Sequence, residues 1–222
     1  MLLAQERSDI VRFGRKLLSS RLTTGSGGNL SICNRNEGYV AISPSGLDYL
    51  DLTPEDIVVT DMAGQRVDGR WKPSSELDFH LALYQARPDV GGVVHTHSVH
   101  ATTLACLRWE LPAVHYLVGF AGKKVTVAPY ATFGTPQLAE NITATIAKDN
   151  AVLLANHGLV AVGPDLSTAF NVAEEIELVA QIYLQTKAVG QPVIIDDAEM
   201  DRVLVKFRTY GKQDVDGEES DS

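Results

Sequence analysis

Val93-Val94-His95-Thr96-His97 is the stretch that decides how this chain is read. Apolar residues lead into two histidines, as in a buried strand, and a strand sends alternate side chains to opposite faces. His95 and His97 then share a face and can share one ion; two buried imidazoles without partners would be costly. A second apolar run, Ala151-Val152-Leu153-Leu154-Ala155, leads through Asn156 to His157-Gly158, so a neighbouring strand can bring a third imidazole. Upstream, Pro73-Ser74-Ser75-Glu76 opens a predicted helix and supplies a carboxylate. Three histidines and one carboxylate suit a borderline cation such as zinc. His80, His100 and His115, each alone in its stretch, read as structural or solvent-facing.

Composition bounds the rest. A chain of 222 residues, 45% hydrophobic and 21% charged, fits one globular domain with a substantial core. Its net charge of −9 argues against a nucleic-acid surface, which needs a basic stripe. Cys33 and Cys106 are too few and too far apart for a disulfide framework or a thiolate metal site, which suits a reducing cytosol. No apolar run approaches the roughly 20 residues that span a bilayer. Met1 to Arg7 becomes charged too soon for a signal peptide. The expectation is a cytoplasmic protein without membrane or nucleic-acid partners.

Working outward, apolar residues Leu3, Ile10, Phe13 and Leu17 predict an opening helix. Thr23-Thr24-Gly25-Ser26-Gly27-Gly28-Asn29 is too rich in glycine for regular structure and leaves backbone N–H groups for a ligand; taken alone it reads as a flexible turn. Hairpins are expected for Leu30–Cys33 with Tyr39–Ile42 and for Ile57–Thr60 with Gln65–Val67, separated by Ser43-Pro44-Ser45-Gly46 and a Thr53-capped turn at Pro54. Ser74 or Ser75 should cap a helix from Glu76 to Arg87, and a helix N-terminus bearing two serines is a seat for phosphate. Further helices are expected over Val99–Leu107, from Pro136 through Ala147, over Asp165–Lys187 and over Asp197–Phe207. Ala113–Val118 and Val125–Ala128 read as strands. The carboxylates Glu174, Glu175 and Glu177 read as a solvated face, and Gln213–Ser222 as an acidic disordered tail after a single domain over 1–212. Hairpins mixed with helices favour an α/β sandwich around a mainly antiparallel sheet over a doubly wound parallel fold. A cupin-like barrel also uses His-x-His, but is nearly all β with an acid soon after the pair, whereas here a helix follows.

Eight stretches, in order, resemble the class II aldolase/adducin family: Thr24-Gly25-x-x-Gly28-Asn29-Leu30-Ser31, Ser43-Pro44-Ser45-Gly46, Pro73-Ser74-Ser75-Glu76, His95-Thr96-His97, His115-Tyr116, Ala128-Pro129-Tyr130-Ala131-Thr132-Phe133-Gly134, Asn156-His157-Gly158-Leu159 and Phe207-Arg208-Thr209-Tyr210-Gly211. They span almost the whole chain. The resemblance implies an α/β/α sandwich and a lyase that reversibly cleaves a ketose 1-phosphate, L-fuculose 1-phosphate or a 5-deoxypentulose 1-phosphate, to dihydroxyacetone phosphate and a short aldehyde. It implies one zinc per subunit on His95, His97, His157 and Glu76, with Mn2+ or Co2+ as alternatives, and Glu76 as acid/base once substrate displaces it. Gly28, Asn29, Ser45, Gly46, Ser74 and Ser75 would hold the phosphate, and Phe133 would shape the aldehyde pocket. Tyr116 would exchange a proton at the aldehyde oxygen from a neighbouring subunit of a four-fold homotetramer, and Tyr210 would close over substrate. The family's 4-epimerase branch has aspartate where this chain has Glu76, and the non-enzymatic adducin head is expected to lack the histidines. The alternatives are a sugar-phosphate epimerase or dehydratase of the same fold and, from a different class, a phosphosugar-binding or interaction module that keeps the fold without turnover.

Overall fold

In the computed structural model, which describes residues 1–207, one eight-stranded sheet carries helices on both faces. The opening segment forms helix α1 (Ala4–Ser19). The first hairpin is β1 (Asn29–Asn34) with β2 (Tyr39–Ile42), the second β3 (Val58–Asp61) with β4 (Arg66–Asp68), each antiparallel. Between them, Thr53 and Asp56 form a reciprocal capping box around a short 3-10 turn that begins at Pro54. Next come α2 (Leu77–Ala86), β5 (Gly92–Thr96), α3 (Val99–Leu107), β6 (Val127–Ala128) and α4 (Pro136–Ile146). The chain ends in β7 (Ala151–Leu154), β8 (Gly158–Gly163), α5 (Leu166–Val189) and α6 (Asp197–Phe207).

The strand order is β4-β3-β2-β1-β5-β8-β7-β6, antiparallel except where β6 runs parallel to β7. This is the expected α/β sandwich. Strand alternation divides the core in two. Leu30, Val94 and Ala161 face one cluster with Phe13 of α1, Leu104 of α3 and Phe170 and Ile176 of α5. Val40, Val93, Val152 and Val162 face the other, with Leu83 and Tyr84 of α2 and Ile142 of α4. Among the described residues no helix is long and apolar enough to cross a membrane.

Three expectations are corrected. Ala113–Val118 forms no strand; its second half winds into a 3-10 turn, Tyr116–Phe120, opened by His115, whose ring accepts from the Leu117 backbone N–H. Neither Ser74 nor Ser75 is the N-cap of α2. That position falls to Glu76, whose carboxylate makes no capping bond and is free to point elsewhere. The acidic row of α5 is not a solvated face, because α1 and α3 border it. Glu174 binds Lys16 Nζ at 2.6 Å and Ser20 Oγ at 2.7 Å. Glu177 accepts from the backbone N–H groups of His100 and Ala101, both at 2.9 Å, and so caps α3 in place of Ser98. The acidic segment after Phe207, Tyr210 included, lies outside the described residues.

The largest fully buried side chain is a charged one, Arg7 of α1. Its guanidinium donates to the carbonyls of Leu2 and Ile57 at 2.7 Å each and to Asp68 Oδ2 at 2.6 Å, which ties α1 to the second hairpin. Replacing it with methionine keeps most of the volume but orphans the buried Ile57 carbonyl, while Asp68 is half-exposed and recovers water. Arg7→Met is expected to lower the unfolding free energy by about 2–3 kcal/mol in urea titration; a change below about 0.5 kcal/mol would contradict this account.

Candidate active site

The site forms where β1, β5 and the β7–β8 turn meet the start of α2. Asn29 on β1 lies opposite His95 on β5, so both side chains leave the sheet on the face that α2 covers. His97 follows the last residue of β5, and His157 sits in the turn where Leu154 pairs with Gly158. That turn is tight: Asn156 is left-handed at φ 54°, and its Oδ1 is held by the Arg108 guanidinium. A side chain at Gly158 would collide with the Thr96 carbonyl, so glycine lets the His157 turn close onto the His95–His97 segment. Gly28 has φ +70°, and a Cβ there would lie 2.6 Å from the His95 carbonyl, so only glycine brings this loop against β5.

The three histidines converge, with one ligand atom of each within 4.8 Å of the others. His95 Nδ1 lies 2.9 Å from the Leu159 carbonyl and must donate to it, which leaves the Nε2 lone pair facing inward. Burial holds the His95 ring well below the usual imidazole pKa, with His157 and His97 adding to the effect. Burial also lowers His97 and His157, against the opposing pull of Glu76 on His157. Glu76 is pushed up, mainly by burial. Its Oε2 accepts from Asn29 Nδ2 at 2.8 Å and lies 3.3 Å from His95 Nε2. Its Oε1 is buried, has no hydrogen-bond partner among the described residues, and lies 3.4 Å from His157 Nε2.

A buried carboxylate oxygen without a donor, beside His157 and the inward lone pair of His95, whose Nε2 lies 3.0 Å from His97 Nε2, is a ligand set without its acid. A divalent cation satisfies all of these groups at once, and the nitrogen-rich set fits zinc.

A cavity of about 380 Å3 opens beside this cluster. Gly28, Asn29, Ser45, Gly46, Ser74, Ser75, Glu76, His97, Phe133 and His157 line it, which brings together most of the residues singled out from sequence. The buried His95 lies behind its wall, 0% exposed. Tyr116 is not on the cavity; it is 43% exposed, with its ring 6.2 Å from that of Phe207. Tyr210 lies outside the described residues.

Sequence reasoning missed two sets of residues. Tyr130, Ala131 and Asn156 also line the cavity, and their places in the quoted motifs were the available signal. The other set lies behind Glu76. Asn29 Oδ1 is 2.5 Å from His80 Nε2, and Ser31 Oγ is 2.6 Å from His80 Nδ1 and 2.7 Å from the Tyr84 hydroxyl. His80 is indeed buried, as a structural histidine would be, but it is wired to the site. The four-residue steps from Glu76 to His80 to Tyr84 were the legible sign.

Known proteins resemble this chain in sequence and in fold. The chain matches the family described as "Class II Aldolase and Adducin N-terminal domain" over residues 8–184. It is 54% identical over 213 residues to a "5-deoxy-D-ribulose 1-phosphate aldolase" of Bacillus thuringiensis, covering 96% of this chain and 100% of the relative. It is 43% identical over 192 residues to the "L-fuculose phosphate aldolase" of Escherichia coli, covering 86% of this chain and 88% of that one. A solved structure described as "L-fuculose 1-phosphate aldolase" superimposes with a TM-score of 0.92 at 45% identity, covering 94% of this chain and 98% of the other.

Two predictions follow from the electrostatics. Zinc at a hundredfold over its dissociation constant is expected to stabilise the fold by about 2.7 kcal/mol, read as a rise in Tm. His157→Ala should abolish most of that rise, and an equal rise in the variant would rule out the histidine site. Burial also depresses His80 to about 3, far under the ordinary imidazole value. Between about pH 6.5 and 3 the unfolded chain binds a proton that the folded one refuses, so stability is full above that window and falls as pH drops through it. The slope from this residue is about 1.4 kcal/mol per pH unit, and His80→Asn should flatten the urea-unfolding profile there.

Proposed function

This chain belongs to the class II aldolase and adducin N-terminal domain family, and on that premise we propose that it is a metal-dependent lyase that reversibly cleaves a ketose 1-phosphate to dihydroxyacetone phosphate and a short aldehyde. The observation that carries the reading is the buried Glu76 Oε1, without a hydrogen bond and 3.4 Å from His157 Nε2, in a cluster of three histidines beside a cavity of about 380 Å3. The names of the relatives support it: aldolases of 5-deoxyribulose 1-phosphate and of L-fuculose phosphate. Both substrates carry the same phosphate end and differ in the aldehyde.

His95, His97, His157 and Glu76 would hold the cation, zinc by the chemistry of the donors. Bound there, it would supply the Lewis acidity that polarises the substrate carbonyl. The chain's own groups do the rest. The backbone N–H groups of the Gly28 and Gly46 loops, the Asn29 amide and the hydroxyls of Ser45, Ser74 and Ser75 bind the phosphate at the start of α2. Tyr116, in its ionised form, takes the proton of the C4 hydroxyl, and the C3–C4 bond breaks with its electron pair left on the dihydroxyacetone phosphate half. Glu76, whose burial favours the protonated carboxyl, delivers one to C3. The exposure of Tyr116 and its place off the cavity support its acting from a neighbouring copy, in a homotetramer whose sites lie between subunits. Phe133 and Tyr130, both exposed at the cavity, would bound the aldehyde, and Tyr210 would close over it. The domain would end near residue 212, and a cytoplasmic location suits the chemistry.

Release of dihydroxyacetone phosphate from L-fuculose 1-phosphate and from 5-deoxyribulose 1-phosphate, measured side by side with and without chelator, tests this reading. Chelator-sensitive turnover is expected, with kcat/KM naming the preferred aldehyde. Glu76→Gln should cut kcat by about 10²–10⁴-fold. No turnover of either substrate by the zinc-loaded protein would sink the proposal.

A further inference from the structure

Two periodicities meet behind Glu76. On α2, Glu76, His80 and Tyr84 follow one another at four-residue steps and so line one face; on β1, Asn29 and Ser31 are two apart and point to the same side. All five are buried, with His80, Ser31 and Tyr84 at 0% exposure. They make one hydrogen-bonded chain from Glu76 through Asn29, His80 and Ser31 to Tyr84.

Every proton in that chain is ordered by chemistry. A carboxylate only accepts, so the Asn29 amide must present its NH2 to Glu76 Oε2 and its oxygen to His80. That oxygen only accepts, so His80 must donate from Nε2. A neutral imidazole with Nε2–H has a bare Nδ1, so the Ser31 hydroxyl must donate to it. Ser31 has then used its one proton and must receive that of Tyr84. With Glu76 ionised, as it is before substrate binds, this is the order that satisfies every member of the chain.

We propose that His80, locked as the Nε2–H tautomer by Ser31 and Tyr84, is a positioning residue that orients the Asn29 amide and through it holds Glu76 Oε2 beside His95, leaving Oε1 without a hydrogen bond beside His157. The inference rests on the reading of Glu76 as the acid/base. A histidine that only filled space would need no tautomer and no donor at Nε2; here the donor at Nε2 is what sets the amide, and the amide is what selects the oxygen.

Two substitutions at this one position test it. Glutamine carries its amide nitrogen near the place of Nε2, asparagine near that of Nδ1. His80→Gln should restore the donor to Asn29 and keep kcat within about 5-fold of wild type, whereas His80→Asn should lower kcat by about 10–100-fold with KM moved less than about 3-fold. Equal losses in both variants, or losses that merely follow their melting temperatures, would overturn the proposal. Nitrogen-15 spectra of the imidazole-labelled wild type, without substrate, should show His80 protonated at Nε2 and bare at Nδ1; the opposite tautomer would also overturn it. Because the tautomer is read without turnover, a wild-type protein inactive on both ketose phosphates would sink the aldolase reading and leave this ordering to be decided by the spectra alone.

Discussion

A carboxylate held in a dry place among neutral imidazoles is the constraint on which the rest of the structure depends. Water is the cheapest partner for Glu76, and the fold denies it. One oxygen is given to Asn29, and the other is left 3.4 Å from His157 with no hydrogen bond. Such a group is costly unless a cation or a proton compensates it. The same burial that raises the Glu76 pKa lowers those of the three histidines, so both changes favour imidazoles with free lone pairs. Stability is set aside at this point for chemistry.

The sheet makes that arrangement rigid. β5 lies between β1 and β8, and each partner contributes on the same side, Asn29 directly and His157 through the turn that precedes β8. The helix α2 then lies across this face and delivers Glu76 from its N-cap. Close approach of the loops requires the missing side chains of Gly28 and Gly158. The three histidines and Glu76 therefore come from three segments of backbone held together by the sheet and α2, and the loops that line the cavity from their ends.

Charged groups away from the site serve the architecture more than the surface. Arg7 closes the carbonyls between α1 and the second hairpin, and Glu177 caps α3, the helix that follows directly on His97. The carboxylates of α5 look, in sequence, like any solvated stripe. Helical periodicity identifies which residues share a face, but not which neighbouring helix will border it, and α1 and α3 border this one.

The sequence by itself determined the element types, the antiparallel sandwich and the identity of the metal-site candidates, because alternation, helical spacing, glycine and proline act over a few residues and leave a local record. His95 and His97 two apart, and Ser74-Ser75-Glu76 at a helix start, are such records. It misread Ala113–Val118, whose apolar run suits a strand: pairing stops at the single Leu111–Val125 bridge and the backbone winds into a 3-10 turn instead. Only the tertiary structure decided which oxygen of Glu76 is free, that Tyr116 stands off the cavity of its own chain, and that His80 is joined through Asn29 to the acid. Each of these depends on the relative placement of segments dozens of residues apart, and a buried hydrogen bond of 2.5–2.8 Å leaves no trace in the local pattern of either partner.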